Sequence, residues 1–158
     1  STRPFPRSKR CDIMTARVSA LAVIFNERKY SMSYYQPCRE LDECNRLIAA
    51  YFNTEQYEAC FQGHLALAEG GYPLAECQVG YFYHEGLGVE KDLSQAFAWT
   101  KRAAEHDDWD AQYNLGCFYA EGTGTAPDLE RAKHWWRRAA EQGHDLAQKK
   151  CRELGIQF

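Results

Sequence analysis

The chain has 158 residues, of which 45% are apolar and 26% charged, a composition typical of globular domains that excludes collagen-like, coiled-coil and fully disordered chains. Its longest apolar run, residues 18–25, is far shorter than the roughly 20 residues that a membrane span needs, so we expect no membrane span. The net charge of -3 disfavours nucleic acid as a partner.

The first 32 residues differ from the rest of the chain in charge. They carry seven Lys and Arg against two Asp and Glu, whereas residues 33–158 carry twelve against twenty. We interpret residues 1–32 as a basic extension, disordered or non-native, and residues 33–158 as the folded domain. Basic residues before an apolar run also resemble a signal peptide, although no small-x-small cleavage site follows. A basic arm held against the acidic domain is a third option.

Seven cysteines are an odd number, and no two of them are spaced as CxxC. This spacing excludes the common zinc-ribbon and thioredoxin-like patterns. We therefore expect reduced thiols that pack as small apolar side chains in a cytoplasmic protein.

An internal repeat of 36 residues predicts the architecture. Residues 75–110 match residues 111–146 at fifteen of 36 positions. Within the first copy, Gly80 permits a close helix approach, Gly86 ends a first helix, and Asp92 caps a second helix with Gln95 able to complete a capping box. The alanine stripe of each second helix includes one indole, Trp99 or its counterpart Trp135, which we predict to lie in the core.

Weaker copies of the repeat lie on both sides. Residues 39–52 and 54–69 predict two more helices, and Gly70 and Gly71 follow the second of them. We expect Asp145 to cap a last helix that ends at Gly155. Its polar outer face is typical of a terminal unit. The total is about seven helices.

The pattern A-x-x-x-[LV]-G-x-[FC]-Y-x-x-G-x-G-x-x-x-D-x-x-x-A-x-x-W-x-x-x-A-A, present twice, resembles the Sel-one-like repeat, a relative of the tetratricopeptide repeat. The resemblance is specific over residues 75–143 and looser over 39–74 and 145–154. It implies an all-α fold, a right-handed α/α superhelix (solenoid) with units at residues 39–74, 75–110 and 111–146 and a capping helix at 147–155. Asp107 stands where the family usually has glycine, so we expect an irregular turn at residues 106–110.

A cysteine-rich subgroup of this family joins cysteines eight residues apart across the turn between units. Here those positions hold Ala104 with Gln112 and Ala140 with Gln148, so that disulfide pattern is absent.

Catalytic and metal-binding motifs are weak in this sequence. The five histidines fall at different positions of the repeat, and none belongs to an HExxH motif. His84 and Glu85 could form an acid–base pair, but a solvated helix end explains them better. We predict no catalytic residue, no metal and no cofactor.

The resemblance implies a bacterial adaptor or scaffold that binds a peptide or protein on its concave face. In the tetratricopeptide frame that face is lined by the first helix of each unit. Trp136 lies outside the repeat pattern, and we expect it on an outer face or over the last helix. The predicted partner-binding residues are Cys77, Tyr81, His84, Tyr113, Cys117 and Trp136.

Two alternative functions follow from the resemblance. An immunity-type or regulatory protein that occludes its partner is one alternative function. A β-lactam hydrolase is another, and the missing cysteine pattern disfavours it. A second copy could also pair with an exposed end of the solenoid.

Overall fold

The computed structural model of the chain describes residues 38–158, and the regular structure in this range is helical. A π-helical turn, Ile48–Phe52, continues the first helix. The α-helices are α1 (Arg39–Leu47), α2 (Tyr57–Glu69), α3 (Pro73–Glu85), α4 (Leu93–Glu105), α5 (Trp109–Glu121), α6 (Leu129–Glu141) and α7 (Asp145–Glu153). The all-α class is confirmed for these residues, whereas the predictions for residues 1–32 lie outside them. No helix in the described range is long and apolar enough to cross a membrane.

Aspartate caps begin both second helices of the repeat pair. The Oδ1 atom of Asp92 accepts hydrogen bonds from the backbone N–H groups of Ser94 and Gln95, and Oδ1 of Asp128 accepts one from Arg131. The predicted cap at Asp92 is confirmed. The capping box is not formed, because the backbone N–H of Asp92 instead donates to the carbonyl of Tyr83 at 3.0 Å.

Two glycine positions let each unit dock on the preceding one. A Cβ atom at Gly88 would collide with the backbone of Tyr57, the first residue of α2, and one at Gly124 with the carbonyl of Leu93, the first residue of α4. Both glycines also have positive φ. The loop between the helices of one unit therefore packs on the start of the second helix of the unit before it.

A third glycine position receives a side chain from the second helix of the same unit. A Cβ at Gly80 would lie 2.5 Å from Oγ1 of Thr100, and a Cβ at Gly116 would lie 2.5 Å from Cδ1 of Trp136. Thr100 and Trp136 are 36 residues apart, so they hold the same place in successive units. The close approach predicted for Gly80 is confirmed.

The structure corrects the assignment of the tryptophans. Trp99 and Trp135 were predicted in the core, but they are half-buried, with the guanidinium groups of Arg102 and Arg138 over their rings at 5.2 and 5.3 Å. Trp136 was predicted on an outer face or over the last helix. It is only 3% exposed, so the outer face is wrong, whereas the ammonium group of Lys150 on α7 lies 5.2 Å from its ring centroid, in agreement with a place over the last helix. The reason is that the hole above Gly116 faces the residue that follows the repeat indole.

Glutamine side chains join the end of one unit to the start of the next. Nε2 of Gln112 donates to the carbonyl of Ala104 at 3.2 Å, and Nε2 of Gln148 donates to that of Ala140 at 3.1 Å. These are the residue pairs that the cysteine-rich subgroup replaces by disulfides. In this chain, hydrogen bonds to carbonyl groups at helix C-termini connect the positions that the disulfides connect in that subgroup.

The turn between α4 and α5 was predicted to be irregular, and this prediction is wrong. Asp107 has a φ of 65°, in the left-handed region that favours glycine, and Gly71 and Gly143 take the same conformation in the other turns between units. Asp108 follows as a fully buried N-cap whose Oδ1 accepts from the backbone N–H of Ala111 at 2.6 Å. The equivalent turn before α7 differs from the prediction, because His144 and not Asp145 is the N-cap.

Candidate functional site

The predicted partner-binding residues occupy three helices. Cys77, Tyr81 and His84 follow one another at steps of four and three on α3, so they share one side of that helix. Tyr113 and Cys117 lie four residues apart on α5, at the positions of Cys77 and Tyr81 in the next unit. We call the side of α3, α5 and α7 that carries these positions the first-helix face. Trp136 lies elsewhere, inside the α5–α6 contact.

Most of the predicted residues are more buried than the sequence suggests. Tyr81 and Tyr113 are each 8% exposed, and Cys77 and Cys117 are 4% and 5% exposed. Of the five residues on the first-helix face only His84 is half-buried, its side chain being 30% exposed. The two tyrosines are therefore almost fully covered by their neighbours, while their role in binding stays a prediction.

Stacked rings connect successive units along this face. The imidazole of His84 stacks on Phe118 of α5 with centroids 5.5 Å apart and ring planes 12° apart. Tyr113 stacks on His144 at 4.9 Å, also at 12°. The first-helix face is therefore continuous from α3 through α5 to the start of α7.

Charge on the α3 part of the face is fixed by two neighbouring groups. His84 Nδ1 and Glu85 Oε1 are 2.7 Å apart, and this hydrogen bond lowers the pKa of Glu85. Burial raises the pKa of Tyr81 to about 12, with smaller contributions from Glu85 and Tyr57. Tyr81 is therefore a neutral phenol at physiological pH, able to donate a hydrogen bond.

His144 is a residue of this region that the sequence analysis missed. Its Nδ1 accepts a hydrogen bond from the backbone N–H of Ala147 at 3.2 Å, which caps α7, and its Nε2 lies 3.2 Å from Oδ1 of Asp110. A neutral imidazole with its proton on Nε2 makes both bonds at once. Histidine is not a typical N-cap, and its partner Asp110 is the second residue of α5, 34 residues earlier, so no local signal in the sequence predicts this role.

Potential catalytic groups in the described range are few. Cys60 and His64 on α2 form a pair, with Sγ and Nδ1 separated by 3.6 Å. Burial raises the pKa of Cys60 to about 11, and burial lowers the pKa of His64. The thiol therefore stays protonated and is a poor nucleophile.

The sequence predicts reduced thiols and no metal site. Cys38, Cys44, Cys60, Cys77, Cys117 and Cys151 are free thiols in residues 38–158, and Cys11 lies outside the described range. Within the same range no three His, Cys, Asp or Glu side chains are grouped as metal ligands. The reduced state of the thiols in the cell stays a prediction.

The comparison with known families decides the identity of the repeated helix pairs. The Sel1 repeat profile matches residues 73–108 and 109–144, which are the pairs α3–α4 and α5–α6. Residues 73–144 are therefore two Sel1 repeats. This result confirms the resemblance found in the sequence and the solenoid architecture that it implied.

Two solved Sel1-type structures are similar to this chain. A Sel1 repeat protein from Oxalobacter formigenes is 35% identical, with a TM-score of 0.66 over 73% of this chain and 48% of that one. A protective antigen present in uropathogenic Escherichia coli strains, described as displaying an SLR fold, is 32% identical at a TM-score of 0.66, over 73% of this chain and 25% of its own.

Curated relatives come from fungi. The chitin synthase regulator SKT5 of Saccharomyces cerevisiae is 40% identical over 57 residues, which is 36% of this chain and 8% of that protein. Its namesake from Malassezia restricta is 46% identical over 41 residues, 26% of this chain and 3% of that protein. The matched region is thus a small part of each relative. Because the similar proteins are both bacterial and fungal, the predicted bacterial origin stays a prediction.

Proposed function

We propose that this chain is a non-enzymatic protein-interaction domain that binds a segment of a partner protein along its first-helix face. Sel1 repeats are generally protein-interaction modules, which supports the general assignment. The observation that carries the choice of face is the difference between the two matched repeats. The residues that the repeats share build the scaffold, whereas the face residues differ: Cys77 and Tyr81 in one unit correspond to Tyr113 and Cys117 in the next.

The chemistry of this face suits a peptide with apolar side chains. Tyrosine and histidine rings offer a large contact area with few rotatable bonds, and their polar atoms can direct hydrogen bonds. His84 and Glu85 are the more accessible groups at the α3 end, with side chains 30% and 44% exposed. A partner that packs over them would contact the edges of the stacked rings.

A regulatory form of this function is the favoured alternative. The curated relatives are named as regulators of an enzyme, chitin synthase. We infer that the partner of this chain is itself an enzyme or effector whose activity changes when the Sel1 domain covers it. The immunity-type alternative belongs to the same class. The β-lactam hydrolase alternative gains no support from the protonated, buried Cys60 thiol.

A pair of matched variants tests the proposed face. Ala120 of α5 and Ala98 of α4 are both exposed alanines, but Ala120 follows the face positions of α5 and Ala98 lies on a second helix. Columns carrying the parent, the Ala120→Arg variant or the Ala98→Arg variant would be loaded with extract of the source cell. Retained proteins would then be quantified by mass spectrometry.

The proposal expects at least one protein that the parent and the Ala98→Arg variant retain and the Ala120→Arg variant loses, because a guanidinium on the face blocks close packing. Equal retention by all three columns would refute the first-helix face as the binding surface. Circular dichroism melts of the three proteins control for loss of folding.

A further inference from the structure

Charge is divided unevenly within the described residues. Residues 38–128 carry five Lys and Arg against sixteen Asp and Glu, a balance of -11, whereas residues 129–158 carry seven against four, a balance of +3. The last two helices, α6 and α7, are therefore a basic end on an acidic domain.

Part of this basic character lies on the exposed side of α7, between two leucines. Leu146 and Leu154 are 40% and 44% exposed, and two lysines and one exposed carboxylate lie between them at helical spacing: Lys149, Lys150 and Glu153. Neither lysine belongs to an ion pair with residues 38–158, whereas Lys101 of α4 and Lys133 of α6 each lie within 4 Å of a glutamate. The opposite side of α7 carries the buried residues Ala147 and Cys151.

This exposed side continues the first-helix face. Lys149 and Glu153 stand in the repeat positions of Tyr113 and Cys117, whereas Lys150 lies next to the face, in the position of Asn114. The ammonium group of Lys150 lies 5.2 Å from the centroid of the Trp136 ring. A cation held over an indole loses less side-chain freedom when it meets an anion.

We infer that the α7 end of the face binds a short acidic segment of the partner protein, with carboxylates opposite Lys149 and Lys150 and aliphatic side chains against Leu146 and Leu154. This inference rests on the proposed function and adds the chemistry of the partner.

Other occupants fit this surface less well. A nucleic acid or an anionic membrane extends beyond the patch and meets the charge of -11 on the rest of the domain. A second copy that extends the solenoid would place a helix on α7, but Arg152 stands at the position where Gly80 and Gly116 receive such a helix. A short acidic segment meets neither obstacle.

The test uses the intact chain and a synthetic helix-forming peptide that carries glutamate and leucine at helical spacing. Backbone amide NMR shifts would be followed during titration. Two control peptides replace each glutamate by glutamine or by lysine. We expect the acidic peptide to shift the amides of residues 145–154 at concentrations where the controls do not, and the shifts to weaken as salt is raised.

Variants assign the binding to the two lysines. The double variant Lys149→Glu, Lys150→Glu should weaken binding of the acidic peptide at least tenfold. This estimate follows because two exposed charge contacts are lost and two repulsive contacts replace them. Lys101→Glu is the matched control at a distant exposed lysine and should bind like the parent. Equal binding of the glutamine or lysine peptide, shifts confined to other helices, or pelleting of the chain with phosphatidylserine vesicles would overturn the inference.

The same columns separate this inference from the proposed function. Loss of a retained partner with both Ala120→Arg and the double lysine variant supports both. Loss with Ala120→Arg alone leaves the first-helix face in place and refutes the acidic segment. Loss with neither variant refutes both.

Discussion

Trp136 fills the hole over Gly116, and this contact ties α6 to α5. A fully buried indole contributes more to stability than a half-buried one. We expect Trp136→Ala to lower the free energy of unfolding by about 3 to 5 kcal/mol. Trp135→Ala should cost only about 1 to 2 kcal/mol, because its ring is half-buried beside Arg138. Urea unfolding of both variants measures the difference, and equal losses would contradict the packing described.

The contact between Gly116 and Trp136 also predicts strong coupling. Gly116→Ala places a methyl group 2.5 Å from the indole, which should cost about 1 to 3 kcal/mol. In the Trp136→Ala background the same change should cost much less, since the methyl group has room. A double-mutant cycle with additive losses would show that the two residues do not touch.

His64 predicts a pH dependence of stability. Burial lowers its pKa from the ordinary value of 6.5, so the unfolded chain binds a proton at pH values where the folded chain does not. The stabilisation is complete above pH 6.5 and is lost as the pH falls below it. Urea melts at about pH 7.5 and pH 5.5 should therefore show a smaller loss for His64→Phe than for the parent.

His134, an exposed histidine of α6, provides the control. The loss between the two pH values should be nearly the same for His134→Gln as for the parent. If His64→Phe keeps the full loss, His64 is not the group that takes up the proton.

Helices and their ends show which features the sequence could predict. Asp92 and the glycine at the end of α3 follow local rules, so both were predicted correctly. The N-cap of α7 was not, because His144 can accept the helix N–H only when Asp110 holds its other nitrogen. That contact spans 34 residues and leaves no local pattern.

Periodicity likewise could not decide between Trp135 and Trp136. Both lie on a helix whose buried side includes Ala132 and Ala139, and a difference of one residue turns the side chain by 100°. The identity of Trp99 and Trp135 in the two repeats favoured Trp135 as the buried indole. The space over Gly116 instead accommodates Trp136. Hole size depends on the distance between two helices, which sequence spacing does not give.

At the level of helix pairs, the Gln112 bond to Ala104 links α5 to the end of α4. Gln112 is fully buried and also accepts from Nε2 of Gln142 at 2.7 Å. Gln112→Ala leaves both partners unsatisfied, so we expect a loss of about 2 to 4 kcal/mol. Gln95→Ala, at an exposed position of α4, is the control and should change stability by less than about 0.5 kcal/mol. Similar urea midpoints for the two variants would argue against the link.

The stability of the whole solenoid depends on Tyr81 and Tyr113 more than it would if these side chains lined an open groove. Tyr81 and Tyr113 are each 8% exposed, so replacing both by alanine should lower the melting temperature clearly. Replacing both by phenylalanine keeps the packing and removes only the hydroxyls, so the melting temperature should stay near that of the parent. An unchanged melting temperature in the alanine variant would show that the tyrosines do not support the fold.

Much of the solenoid could be predicted from the sequence because the residues that form its helices and turns occur at equivalent positions in two repeats. Five of the six predicted binding residues lie on first helices, as expected, and Trp136 lies on α6. Their burial was not foreseen, since exposure depends on every neighbour that packs over a position. His84 could be placed at the end of α3 from spacing alone. Its stacking on Phe118 required the distance between two units.

Binding along the first-helix face is the central claim, and hydrogen–deuterium exchange tests it most directly. Exchange would be measured by mass spectrometry on the intact chain, alone and bound to a partner that the parent column retains. The account predicts slower exchange on binding at the C-terminal ends of α3 and α5 and along α7, with α4 and α6 unchanged. Protection confined to α4 and α6 would contradict it.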